Sequence, residues 1–256
     1  MRLGKALVRG RGRAPYLVPY ILVDRARSGR LGATVRALRD GGASAVELGF
    51  PFSDPIADGP VLAGASGRAL GHGTTWRDLL RGVRTAAPLL PTAVMTYANP
   101  VWRRGLDVAL EELATAGASG LIVPDLSWEE SGPWRAGARR AGLDLVLFAA
   151  PGTSLERVGR IAAQARGFLY LVSRYGTTGT GATQSAKELR PLVDAAHRSA
   201  PRLSVLVGFG VRDRASRDAA LSSGADGVIV GTALEERLAA GVSAAALTRW
   251  VAELVR

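Results

Sequence analysis

Eight short apolar runs alternate with helix-like stretches over 256 residues, with no linker between them. This pattern predicts a single α/β domain built as a (β/α)8 TIM barrel spanning residues 1–256. The alternation implies parallel βαβ units. Doubly wound sheets share it but usually carry fewer strands. A chain of this length, 47% hydrophobic, can bury one sizeable core.

The strands read as Tyr16–Leu22, Ala45–Phe50, Thr92–Tyr97, Gly120–Pro124, Leu145–Ala150, Phe168–Ser173, Leu203–Gly208 and Gly227–Val230. Between them lie helical patterns at Leu31–Asp40, Trp76–Ala86, Leu106–Ala116, Glu129–Ala141, Ser154–Gln164, Ala186–Ser199 and Asp213–Ser223, and Ser243–Val255 closes the chain. Ser154, Asp213 and Ser243 read as N-caps, and Gly41-Gly42, Gly117 and Gly142 as helix breaks. Residues 1–14 read as a basic, flexible segment without the apolar stretch of a signal peptide.

Composition removes whole mechanisms. There is no cysteine, so thiolate nucleophiles, disulfides and zinc–thiolate sites are excluded. The two lysines, Lys5 and Lys187, end no strand, which argues against Schiff-base chemistry. The two histidines, His72 between glycines and His197 on a polar helix, read as solvated surface residues and form no metal cluster. No apolar run is long enough to span a membrane, and a soluble cytoplasmic protein is expected. The net charge of +11 comes almost wholly from arginine. It reflects either a coding bias or attraction of an anionic substrate. The arginines are dispersed and aromatics are only 6%, which argues against nucleic-acid binding.

Carboxylates, tyrosines and backbone amides remain for chemistry, and Glu47 stands out among them. It lies in Ala-Val-Glu-Leu-Gly-Phe, residues 45–50, where a bare carboxylate is costly unless its charge is stabilised or its pKa raised. Strand parity puts Val46, Leu48 and Phe50 on the face toward the helices, and Ala45, Glu47 and Gly49 on the face toward the barrel interior. Glu47 is then inward near the strand's C-terminal end, where barrel active sites lie. The alternative is a structural carboxylate paired with a buried arginine, but no arginine occupies a neighbouring inward strand position. Asp58 follows in the Pro/Gly-shaped loop of residues 51–60.

The seventh strand ends Val207-Gly208-Phe209-Gly210-Val211, and the eighth ends Ile229-Val230-Gly231-Thr232-Ala233 before a helix-like segment. Small residues there let a phosphate approach backbone N–H groups, and the loops after strands seven and eight are the usual phosphate site of such barrels. A Gly/Thr-rich loop, residues 173–181, follows the sixth strand and reads as a lid or as an ordinary connection.

These residues resemble the tryptophan synthase α subunit family. The resemblance rests on VELGFPFSDPIADGP (Val46–Pro60), with MTYANP (Met95–Pro100), GLIVPDL (Gly120–Leu126), GFLYLVSRYGTTG (Gly167–Gly179), GFGV (Gly208–Val211) and ADGVIVGTA (Ala225–Ala233) in the family's order. It implies a barrel lyase that cleaves indole-3-glycerol phosphate to indole and glyceraldehyde 3-phosphate in tryptophan biosynthesis. It also implies no cofactor in this half of the enzyme, and a PLP-dependent β subunit as partner in an α2β2 assembly. By motif, Glu47 is identified with the family's general acid–base, and Asp58 with the carboxylate that accepts the indole N–H. Tyr20, Tyr97 and Tyr170 match pocket-wall positions. Gly179, Phe209, Gly210, Gly231 and Thr232 match phosphate-binding positions, and Thr178 matches the lid threonine. For each aromatic residue, simple packing is the competing reading.

The departures concern mainly the partner. The turn after the first strand reads Leu22-Val23-Asp24-Arg25-Ala26 in place of an Ala-Gly-Asp-Pro-like sequence, and Ser127 follows Asp125-Leu126 where the family usually has proline. Ala63 replaces a frequent glutamine, and the fifth strand ends Pro151-Gly152-Thr153. The Asp54-Pro55 loop is intact. The altered motifs leave open a stand-alone indole-releasing lyase of specialised metabolism, and a weakly active regulatory partner of a β subunit is a further alternative. The barrel, the phosphate site and the inward glutamate would by themselves also suit a phosphosugar isomerase.

Overall fold

The structure, a computed structural model, describes residues 3–9, 15–173, 185–208 and 210–256. Eight parallel strands close on themselves in sequence order: β1 Tyr16–Leu22, β2 Val46–Gly49, β3 Thr92–Met95, β4 Gly120–Ile122, β5 Asp144–Ala149, β6 Phe168–Val172, β7 Ser204–Gly208 and β8 Gly227–Val230. The helices are α1 Leu3–Ala6, α2 Ser28–Asp40, α3 Pro60–Gly71, α4 Trp76–Ala86, α5 Ala98–Arg104, α6 Leu106–Ala116, α7 Gly132–Ala141, α8 Leu155–Gln164, α9 Ala186–Ser199, α10 Arg214–Leu221, α11 Thr232–Ala239 and α12 Ala244–Val255. The expected single-domain (β/α)8 barrel is the observed architecture.

Strand parity divides the apolar residues into two layers. Leu17, Ile21, Val46 and Leu48 join the shell between strands and helices. Val18, Tyr20, Ala45, Ala93, Ile122, Phe168, Tyr170 and Ile229 join the cluster inside the barrel. Helix starts follow local chemistry. Ser154, Asp213 and Ser243 each accept a hydrogen bond from the backbone N–H three residues on, as N-caps do. Thr75 and Ser185 head reciprocal capping boxes with Asp78 and Glu188.

The structure differs from the sequence reading at several places. Residues 127–131 form a turn and not the start of a helix: Ser127 Oγ accepts from Glu130 N and Ser131 Oγ donates to Trp128 O, so α7 begins at Gly132, beside Pro133. Part of the basic N-terminal segment is packed. α1 closes the floor of the barrel, with Leu3 and Leu7 buried, Gly4 N donating to Asp144 Oδ2 and Ser204 Oγ donating to Leu7 O. His197 is not a solvated surface residue. Its side chain is 10% exposed and its Nε2 lies 2.8 Å from Asp226 Oδ2, which also accepts from Val205 N at the start of β7. His72 is half-exposed, and its Nδ1 is 3.0 Å from Asp24 Oδ1.

Candidate active site

Glu47 sits inside the barrel near the C-terminal end of β2, in register with Tyr20 of β1 and Ala93 of β3. It is 1% exposed, and neither carboxylate oxygen has a hydrogen-bond partner among the described residues. The competing reading, a structural ion pair, is absent there: no arginine reaches it among the described residues. A carboxylate surrounded by apolar and aromatic groups cannot hold its charge cheaply. Burial alone pushes its pKa from 4.5 up to about 8. At neutral pH Glu47 is mainly the acid form, able to give a proton and to take it back.

Asp58 approaches the same space from the loop between β2 and α3. That loop is fastened from both sides. Ser66 on α3 accepts from Phe52 N and donates to Phe52 O, both at 2.8 Å. Tyr97, just past β3, accepts from Ala57 N at 3.0 Å and donates to Asp58 Oδ2 at 3.0 Å. Burial raises the Asp58 pKa to about 6, against the lowering effect of the Tyr97 hydrogen bond. Asp58 is thus mainly ionised at neutral pH. Two nearby carboxylates hold different protonation states because one is dry and the other is partly wet and hydrogen-bonded.

Tyrosine rings wall the site. Tyr20 leans across Gly49, where a Cβ would lie 2.0 Å from its hydroxyl, and Tyr170 leans across Gly208, where a Cβ would lie 2.3 Å from its ring. Only glycine admits these rings. Tyr170 stacks on Phe148 at 4.7 Å, and Tyr97 on Phe52 at 5.1 Å. The pKa of Tyr20 is raised by burial and then by the charges of Asp58, Tyr97, Glu47 and Glu235; that of Tyr170 by burial, Glu47 and Asp58. The two tyrosines and the two carboxylates therefore share one low-dielectric pocket.

At the rim, β8 lies between β7 and β1, which brings the glycine turns after β7 and β8 together. Gly210 has φ +106°, a left-handed conformation that favours glycine. Gly231 caps α11, a Cβ there would lie 3.6 Å from Tyr20 Cβ, and the first-turn amides at Thr232 and Ala233 are free of helix bonding. An N-terminus of this kind favours an anion. Thr178, Gly179 and the lid reading fall among residues 174–184, and Phe209 is also outside the described residues.

Sequence reasoning missed Phe52 and Phe148, although Phe148 shares the inward parity of β5. It also missed Asp125, which accepts from Ala98 N at 2.9 Å and so fixes the start of α5 beside Tyr97. Among the described residues no three His, Cys, Asp or Glu side chains converge as metal ligands, and no helix is long and apolar enough to cross a membrane.

The site can be set beside known proteins. Residues 8–253 match the family model described as tryptophan synthase alpha chain. The tryptophan synthase alpha chain of Synechococcus sp. (strain CC9902) is 43% identical over 87% of this chain and 83% of its own length. That of Thermobifida fusca is 41% identical over 93% and 87%. A structure of Mycobacterium tuberculosis tryptophan synthase superposes with a TM-score of 0.87 at 37% identity, covering 100% of this chain and 98% of that one. A mutant alpha subunit from Pyrococcus furiosus gives 0.82 at 34% identity, covering 94% and 98%. With a barrel closed in strand order, a dry glutamate inside it and an aspartate on the loop that follows the same strand, this chain belongs to the tryptophan synthase alpha chain family.

Proposed function

We propose that the chain is a carbon–carbon lyase that cleaves indole-3-glycerol phosphate to indole and glyceraldehyde 3-phosphate in tryptophan biosynthesis. Glu47, as the acid, donates its proton to indole C3. Positive charge then develops toward the indole nitrogen, whose N–H donates to the Asp58 carboxylate. Glu47, now a carboxylate, takes the proton of the glycerol hydroxyl next to the ring. The bond between that carbon and indole C3 breaks, its electrons return to the ring and the carbonyl of the aldehyde forms. The proton balance closes on Glu47. Tyr20, Tyr97 and Tyr170 bound the indole. Gly210, Gly231 and Thr232 hold the phosphate at the positive end of α11, with Thr178, Gly179 and Phe209 completing that end. The observation that carries the reading is the unpartnered, buried Glu47 with its pKa near neutrality. Indole release from indole-3-glycerol phosphate by purified protein tests it, and no release with or without a β subunit would sink it.

Family membership implies a β subunit as partner, and we place the chain in an α2β2 assembly. Ile56, 71% exposed in the Asp58 loop, and Trp102, 54% exposed on α5, favour a protein cover on the catalytic face. The second reading, a lyase that acts without a partner, is favoured by the turn after β1, whose charged side chains bind within the chain itself. Size-exclusion chromatography with the β subunit separates the two.

A further inference from the structure

The turn after β1 carries charges whose partners lie far away in sequence. Asp24 is buried; its Oδ1 accepts from Ala26 N and lies 3.0 Å from Nδ1 of His72, the C-cap of α3. Arg25 N donates to Thr74 Oγ1 at 3.0 Å. Arg27 Nη1 donates to Glu235 Oε1 at 2.7 Å, and its Nε lies 3.8 Å from Asp24 Oδ2. One short turn thus ties together the helix that begins two residues after Asp58 and the helix that heads the phosphate end.

Glu235 is the unexpected member. It lies in the first turn of α11, its N–H bonded to Gly231 O, and it is 1% exposed with Oε2 unpartnered among the described residues. A carboxylate there suits the helix dipole. It also places a buried negative charge in the turn whose amides face the proposed phosphate position, where it opposes an incoming dianion. Its field reaches the pocket, since it contributes to raising the Tyr20 pKa. Burial raises the pKa of Glu235 itself, and the hydrogen bond and charge of Arg27, followed by the charge of Arg68, draw it back.

We infer that Arg27 and Glu235 are a positioning pair that sets the affinity of the phosphate end. Arg27 cancels a buried negative charge beside the bound phosphate while the Asp24–His72 contact holds the turn that delivers it. The inference rests on the reading of Gly210, Gly231 and Thr232 as the phosphate-binding end. Because Arg27 acts through Glu235, the two single substitutions should not have the same effect. A purely structural tie would make them alike.

The test is calorimetric binding of glycerol 3-phosphate to the full chain, with indole as the uncharged control. Without Arg27 the buried Glu235 would take up a proton near neutrality, as Glu47 does, so binding is compared on the alkaline side of neutrality as well. There Arg27→Gln should weaken glycerol 3-phosphate by roughly tenfold or more, the scale of one unit charge within about 10 Å at an effective dielectric near 20. Glu235→Gln should bind it as well as wild type or better, and the double variant should return to near the wild-type value. Indole binding should stay unchanged in all three. Equal weakening by both single variants with the double variant weaker still, or full affinity in Arg27→Gln on the alkaline side as well, would overturn the inference. Should Arg27→Gln fail to fold, Glu235→Gln and the double variant still decide, because weakening in both contradicts the charge account. Wild-type protein that binds no glycerol 3-phosphate would remove the phosphate-end reading and this inference with it.

Discussion

Tyr97 holds two adjacent residues of the loop between β2 and α3. Its hydroxyl accepts from Ala57 N and donates to Asp58 Oδ2, each at 3.0 Å. The bond favours the ionised carboxylate and offsets part of the rise that burial causes. Tyr97→Phe should therefore move the Asp58 pKa above about 6. In a pH profile of kcat/KM the acid limb should shift upward while the alkaline limb stays in place. An unmoved acid limb would mean that Asp58 does not need to be ionised for the reaction.

The same profile in wild-type protein should be bell-shaped. The proposed mechanism requires Asp58 ionised and Glu47 protonated, so activity should fall below about 6 and above about 8. A profile flat from pH 5 to 9 would contradict the division of roles between the two carboxylates.

Glu47 also makes stability depend on pH. Below 4.5 it is protonated in both the folded and the unfolded chain and contributes nothing. From 4.5 to about 8 the unfolded chain releases the proton that the folded chain keeps, so stability falls as pH rises and levels off above 8. The full penalty is on the order of 5 kcal/mol. Denaturant titrations of wild type and Glu47→Gln should therefore diverge between these limits, with the variant gaining on wild type toward pH 8. Parallel curves would show that Glu47 is not held dry.

Gly49 and Gly208 give way to tyrosine rings, and an alanine at either meets one well inside contact distance. Gly49→Ala should displace Tyr20 from the pocket and cost about 1–3 kcal/mol of stability, the usual range for overpacking. Thermal melts and the KM for substrate should both register the change. Unaltered values in both would mean that Tyr20 has room the geometry does not provide.

The barrel was legible because its elements are locally consistent. β1, β8, α4, α6 and α9 have the expected bounds, with capping boxes at α4 and α9 and a glycine stop after α6. α3 was not legible: Gly59 offers no side-chain cap, and its Ala/Gly-rich sequence shows little contrast between faces. α5 begins one residue after Tyr97 and carries Pro100, which reads as a break. Within the site, Glu47 was legible by parity and by its cost in an apolar strand. Tyr97–Asp58, Asp24–His72 and Arg27–Glu235 join residues 39, 48 and 208 positions apart, and no local pattern encodes such pairs. His197 looked exposed because its helix is polar, while the partner that draws it inward, Asp226, comes 29 residues later.

In the proposed reaction one dry glutamate, Glu47, moves the proton in both directions. The most direct measurement of this is steady-state indole release from indole-3-glycerol phosphate by wild type and Glu47→Gln, with circular dichroism to establish that both are folded. The predicted result is turnover in wild type and a loss of roughly 10²–10⁴-fold or more in a folded variant. A folded Glu47→Gln protein that releases indole at the wild-type rate would contradict the account.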